Sequence, residues 1–138
     1  MHKLWEMAMR NYLNKNVKHR EMFRPFAPVI LESDASDYFD GPVGPYMQYT
    51  SVCKQPELFP AIAHLDNTSR VQTVNQQQHP GLFKLLTEWK KATNCPMLLN
   101  TSLNIKGEPM VDNKKDAVRW TEKYKVEVVT EERSSIGE

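Results

Sequence analysis

Leu4, Trp5, Ala8, Met9, Tyr12, Leu13 and Val17 recur at helical spacing, so the chain opens on an amphipathic helix that ends near His19. Pro25 and Pro28 then impose an extended path over residues 24–28, leading into an apolar strand at 29–31. A short helix over 33–39 has Ser33 or Asp34 available as its cap. The Gly- and Pro-rich residues 41–45 read as a rigid loop. Met47, Tyr49 and Ser51 alternate with polar neighbours as a strand would. Residues 61–65 and 70–74 read as two strands joined by a turn at 66–69.

Pro80 suits the first turn of a helix with Leu82, Phe83, Leu85, Leu86 and Trp89 as its core face and Asn94 as a left-handed stop. Residues 97–99 form a short apolar strand that runs into a polar loop at Asn100, and Lys106-Gly107 makes a turn. Asn113 and Asp116 are spaced like a capping box for a final helix over 113–124. Val126, Val128 and Thr130 suggest a last strand. Strands and helices are interspersed, which predicts an α/β chain with a mixed sheet, one domain over 1–130 and a flexible tail over 131–138.

A chain of 138 residues suits one domain, and at that size folding buries roughly two-thirds of the chain's surface, enough for a core without staples. The formal net charge of +1 provides no global grip on nucleic acid or an acidic membrane, but leaves room for a local basic patch. Cys53 and Cys95 form no CxxC pair and lack histidines at zinc spacing, so reduced thiols in a cytoplasmic setting are expected. The first six residues lack the apolar region of a signal peptide. No apolar run approaches the ~18 residues of a membrane span. GxxxxGK[ST], GxGxxG and GxSxG are all absent, so any phosphate binding rests on side-chain cations and loop amides.

Three segments carry candidate chemistry. Lys18, Arg20 and Arg24 put three cations within seven residues, ahead of a proline-stiffened stretch. In an extended segment Lys18 and Arg20 share a face, joining a compact ammonium to a planar fork suited to a polyphosphate. The same stretch also reads as a solvated basic helix end, favoured by the helix dipole. Asn100, Thr101, Ser102 and Asn104 sit past the C-terminal end of a strand, where open α/β sheets bind ligands; they are equally common turn formers. His64 and Asp66 alternate as if along a strand and would face one cleft, and Arg70 opens the next strand. His64 also reads as a partly buried histidine with its hydrogen bonds satisfied, and no other His or Cys completes a metal set.

Taken in order, the blocks are Asn14-x-x-Val17-Lys18-x-Arg20-x-x-Phe23-Arg24-Pro25-Phe26-Ala27-Pro28, then His64-x-Asp66-x-Thr68-x-Arg70-Val71-Gln72-Thr73-Val74, then Leu98-Leu99-Asn100-Thr101-Ser102-x-Asn104-x-x-Gly107-Glu108-Pro109. They resemble the C-terminal part of the carbamoyltransferases that include the nodulation and antibiotic O-carbamoyltransferases, over nearly the whole chain.

The resemblance implies a YrdC-like fold, an open, twisted, mixed sheet with flanking helices, and a Lys-x-Arg and Ser-x-Asn signature at Lys18, Arg20, Ser102 and Asn104. It implies an enzyme domain that takes ATP and carbamoyl phosphate and forms carbamoyl adenylate with release of pyrophosphate. A separate N-terminal domain, in cis or in trans, then transfers the carbamoyl group to a hydroxyl acceptor. On that reading Lys18, Arg20, Ser102 and Asn104 are the catalytic set. Arg24, His64, Asp66, Arg70, Asn100 and Thr101 bind ATP and substrate. Mg²⁺ arrives with ATP as substrate, held mostly by phosphates and water, and no tight protein metal site is expected. Two further readings stand beside it: a nucleotide- or phosphate-binding module without its own activity, and an RNA-binding domain of YrdC-like fold. The near-neutral charge argues against nucleic acid as a partner, and no membrane partner is expected.

Overall fold

The computed structural model describes residues 8–129. The expected tail, the helix residues Leu4 and Trp5, and Thr130 of the expected last strand lie outside them. In chain order the strands are β1 (Ala27–Leu31), β2 (Phe39–Asp40), β3 (Ser51–Cys53), β4 (Thr68–Ser69), β5 (Gln72–Val74) and β6 (Met97–Asn100). The helices are α1 (Ala35–Tyr38), α2 (Pro80–Thr93) and α3 (Lys114–Tyr124).

The apolar run at 29–31 lies at the centre of the main sheet. β1 pairs parallel with β5 and antiparallel with β6, in the order β5-β1-β6. Alternate residues of β1 serve opposite faces, as the pleat requires. Val29 and Leu31 pack with Val74 under Leu86 of α2. Ile30 packs on the other face with Phe39, Cys53, Ile62 and Val71. A strand covered on both faces reads as a continuous apolar run, which is what the sequence carries. Pro28 sits in this central strand without cost to the β5 ladder, because the β1–β5 register begins one residue later, at Val29.

The parallel β1–β5 pair needs a long crossover. That crossover contains the second sheet, antiparallel and ordered β2-β3-β4. The observed architecture is therefore mixed α/β and open, as expected, but divided into two three-stranded sheets. α3 covers a third apolar cluster, in which Val17, Ile105, Trp120 and Tyr124 are buried together.

Both long helices begin and end where the sequence places them. Pro80 opens α2, and Asn94 closes it at φ 57° with its N–H bonded to the carbonyl of Lys90. Asn113 caps α3 by accepting from the amide of Asp116 at 3.1 Å, and its side-chain amide donates to the Asp116 carboxylate. The core face of α2 is narrower than predicted, because the three-stranded main sheet covers only Leu82, Phe83 and Leu86, leaving Leu85 and Trp89 exposed.

Other expectations fail for local reasons. Residues 61–65 form turns, not a strand. The amide of Phe26 takes the carbonyl of Ala61 and the Ser69 hydroxyl takes that of Ile62, so no ladder forms. The expected strand at 70–74 is split between sheets, with Arg70 and Val71 in the bend between β4 and β5. Met47 adopts φ 54°, which breaks the alternation through Tyr49 and delays the strand to Ser51. Val126 and Val128 pack beside Trp120 and Tyr124 without pairing, after a left-handed turn at Lys125. Neither Ser33 nor Asp34 caps α1 through its side chain. The Asp34 carboxylate instead pairs with Lys90 of α2 at 2.6 Å. Among the described residues no helix is long and apolar enough to cross a membrane.

Candidate functional site

The first helix is regular over 8–12 and widens into a π-helical turn at Leu13–Val17, where the amide of Lys18 reaches back to the carbonyl of Leu13 at 2.7 Å. Such turns favour functional sites because the extra residue rotates the following side chains. Here Tyr12 is turned outward, whereas Asn14 is fully buried. His19 then enters the left-handed region at φ 48°. Lys18 and Arg20 therefore do not share a face through an extended segment, as their spacing suggested. They reach the same groove because the chain reverses between them.

The second half of the site comes from the loop after β6. The Lys18 ammonium donates to the Ser102 carbonyl at 2.6 Å, the Ser102 Oγ at 3.0 Å and the Asn104 Oδ1 at 2.9 Å. Ser102 Oγ donates in turn to Asn104 Oδ1 at 2.9 Å, closing a polar triangle. The loop is anchored from behind. Trp120 Nε1 donates to the Asn104 carbonyl at 3.2 Å, Asn104 Nδ2 donates to the Glu108 carbonyl at 3.1 Å, and the Val111 amide bonds the Leu103 carbonyl. Arg119 pairs with the Glu108 carboxylate.

These residues line an open groove of about 410 Å³. Lys18, Arg20, Arg24 and Lys106 face it, and among the described residues Glu21 is the one carboxylate on its wall. Like charges at this density disfavour the charged forms. Burial, and then Arg20, push the Lys18 ammonium below its ordinary pKa; burial, and then Arg24, do the same to Arg20. An anion entering the groove would relieve both.

His64 and Asp66 lie in a turn, not along a strand, with the intervening Leu65 fully outward. Asp66 Oδ1 accepts from the Thr68 amide and hydroxyl, which holds its carboxyl below the usual range. Both residues line an adjoining groove of about 570 Å³ that shares Glu21 and Arg24 with the first and adds the exposed ring of Phe23. Arg70 and Asn100 sit elsewhere, around Met47. Arg70 donates to the Met47 carbonyl, and Asn100 Nδ2 donates to Gln72 Oε1 and approaches the Met47 sulfur at 3.6 Å. Thr101 is exposed and has no side-chain hydrogen bond among the described residues. The ten sequence candidates thus divide into the Lys18 groove, the His64 groove joined to it through Arg24, the pair around Met47, and Thr101.

Sequence reasoning gave no role to Asn14, Phe26, Lys106 or Trp120. Asn14 and Phe26 bracket Arg20. Lys106 donates to the His19 carbonyl at 2.9 Å across the mouth of the groove. The signal for Asn14 was its place at the head of the first block, but nothing in the local pattern forecasts a π-helical turn. Among the described residues no three His, Cys, Asp or Glu side chains converge as a metal set would.

The family described as carbamoyltransferase C-terminus matches this chain over residues 2–136. An uncharacterized protein of Synechocystis sp. is 37% identical over 81% of this chain and 22% of its own length. Nodulation protein NolO of Bradyrhizobium diazoefficiens is 39% identical over 79% of this chain and 21% of its own. Nodulation protein U of Rhizobium tropici is 38% identical over 81% of this chain and 20% of its own. The chain spans about a fifth of the length of these curated relatives. With the match running almost end to end through the residues of both grooves, the chain belongs to the carbamoyltransferase C-terminal family.

Proposed function

We propose that this domain binds ATP and carbamoyl phosphate and forms carbamoyl adenylate, which a separate N-terminal carbamoyltransferase domain passes to a hydroxyl acceptor. The observation that carries the reading is the meeting of Lys18, Arg20 and Arg24 with Ser102 and Asn104 on one groove. Four cations against one carboxylate, among the described residues, suit two substrates that are both polyanions and repel each other in water.

Balance sets the steps. Water splits carbamoyl phosphate into carbamate and inorganic phosphate. A carbamate oxygen then attacks the α-phosphorus of ATP, and pyrophosphate leaves. Arg20 and Arg24 offset the charge on the phosphates as the new bond forms. Lys18, Ser102 and Asn104 orient the reacting groups by hydrogen bonds. Mg²⁺ bound to ATP supplies further charge neutralisation. The adjoining groove receives the nucleoside half of ATP: the Phe23 ring offers a stacking face, and His64 and Asp66 offer polar contacts to base or sugar. Arg70, Asn100 and Thr101 remain candidates for the carbamoyl phosphate side.

Incubation of the protein with ATP, Mg²⁺ and carbamoyl phosphate should release pyrophosphate and phosphate in equal amounts. Lys18→Ala and Ser102→Ala should abolish pyrophosphate release. A second reading, a binding module without turnover, is favoured by the Lys18 ammonium, whose three donors are already taken by protein acceptors. Nucleotide binding with no pyrophosphate under any condition decides for the module. RNA binding that survives moderate salt without nucleotide affinity rules out both.

A further inference from the structure

Asn14 is an uncharged polar side chain with no exposed surface, held in the π-helical turn that precedes the groove. Both polar atoms of its amide are engaged. Its Oδ1 accepts from Arg20 Nε at 2.7 Å, and its Nδ2 donates to the carbonyls of Met22 at 3.2 Å and Arg24 at 2.8 Å. Its own carbonyl accepts from the Arg20 amide at 2.9 Å. One residue therefore ties the backbone from Arg20 to Arg24 and fixes the inner edge of a guanidinium.

Arg20 is held on a second side. Its guanidinium lies over the Phe26 ring, 4.6 Å from the centroid. With Nε engaged and one face stacked, the outer Nη1 and Nη2 have no partner among the described residues, and Arg20 lines the groove. The contrast with Lys18 matters. All three Lys18 donors are satisfied within the protein, so an incoming anion must displace a bond to use it. Arg20 offers two parallel donors already aimed and unspent, the geometry that grips a phosphate in bidentate fashion.

We infer that Asn14 is a positioning residue: by clamping Nε it aims the Nη edge of Arg20 into the groove as the pre-set fork for the anionic substrate. This rests on the proposed function, since it needs an anion in that groove. Asn14 touches no substrate. It acts through Arg20, which spares the side-chain ordering that a free arginine would undergo on binding.

The test is a double-mutant cycle on the full chain, with affinity for ATP plus Mg²⁺ measured by calorimetry and folding by thermal melts. Asn14→Ala and Arg20→Ala should each weaken binding by about tenfold, the scale of one charged hydrogen bond. The double variant should bind within about twofold of Arg20→Ala alone, because coupled residues do not add. Folded Asn14→Ala with unchanged affinity overturns the inference and leaves the proposed function standing. Additive losses do the same, since Asn14 would then act independently of Arg20. An unmutated chain with no affinity for ATP and Mg²⁺ overturns both. If Asn14→Ala does not fold, the Arg20 Nε–H resonance of the unmutated chain decides. It should exchange slowly with and without ATP, while the Nη signals shift on binding; a fast-exchanging Nε–H, or an Arg20 indifferent to ATP, overturns the inference.

Discussion

The ammonium of Lys18 lies 2.6 Å from the carbonyl oxygen of Ser102, 84 residues further along the chain. That contact joins the end of the first helix to the loop after β6, and both walls of the groove depend on it. Removing the ammonium takes a donor from three acceptors, of which the Asn104 Oδ1 keeps its bond from Ser102 Oγ. Lys18→Ala should lower stability by about 1 kcal/mol, given that the site is partly open to water. It should also speed amide exchange in residues 101–104, measured beside a thermal melt. Unchanged exchange there would mean that the anchors behind the loop, from Trp120, Glu108 and Val111, set it without Lys18.

The same lysine gives a pH dependence. Burial and the neighbouring Arg20 lower its pKa from 10.5, so it loses its proton at a lower pH than a free lysine. Only the charged form attracts an anion. Affinity for ATP should therefore fall as pH rises, with a midpoint below 10.5, and this component should be absent in Lys18→Ala. A calorimetric series from neutral to alkaline pH tests it.

Arg24 is exposed and lines both grooves. Its side chain makes no hydrogen bond within the described residues, so Arg24→Ala should leave the melting temperature within about a degree of the parent. ATP affinity should drop roughly fivefold to tenfold at low ionic strength, and less at high salt, because exposed charges are screened. Equal losses at both salts would place Arg24 in a dry contact.

Trp120 donates from Nε1 to the Asn104 carbonyl while its ring fills the cluster beneath. Trp120→Phe keeps most of the apolar volume and removes the donor. A cost of about 1 kcal/mol is expected, together with weaker ATP binding as Asn104 loosens. A melt and a titration on one sample separate the two effects.

Asp34 and Lys90 join the segment after β1 to α2 at 2.6 Å, with Asp34 mostly buried and Lys90 partly open. The carboxylate raises the Lys90 pKa above 10.5. A raised folded value means the contribution is complete below 10.5 and disappears as pH rises through the folded value. Asp34→Asn should therefore cost up to about 1 kcal/mol at neutral pH. The gap between parent and variant should close under strongly alkaline conditions in paired denaturant titrations.

The sequence alone determined features governed by neighbours along the chain. Pro80 and Asn94 mark the ends of α2 because proline lacks the donor a first turn does not need, and asparagine tolerates φ 57°. Asn113 and Asp116 fix the start of α3, and the apolar run at 29–31 announces a strand covered on both faces. The ordered blocks carrying Lys18, Arg20, Ser102 and Asn104 were also legible, since each needs only residue types and spacing.

What the tertiary structure decided depends on partners far away in sequence. Residues 61–65 have strand-forming composition, yet Phe26 and Ser69 take their carbonyls and leave turns. His64 and Asp66 share a groove through that turn, not through a pleat. Lys18 and Arg20 meet one groove because of a π-helical turn and a left-handed His19, and no periodicity forecasts either. Asn14 looks like an ordinary polar helix residue in sequence. It becomes the clamp behind Arg20 only because burial forces both its amide atoms to find partners, and those partners are Arg20, Met22 and Arg24.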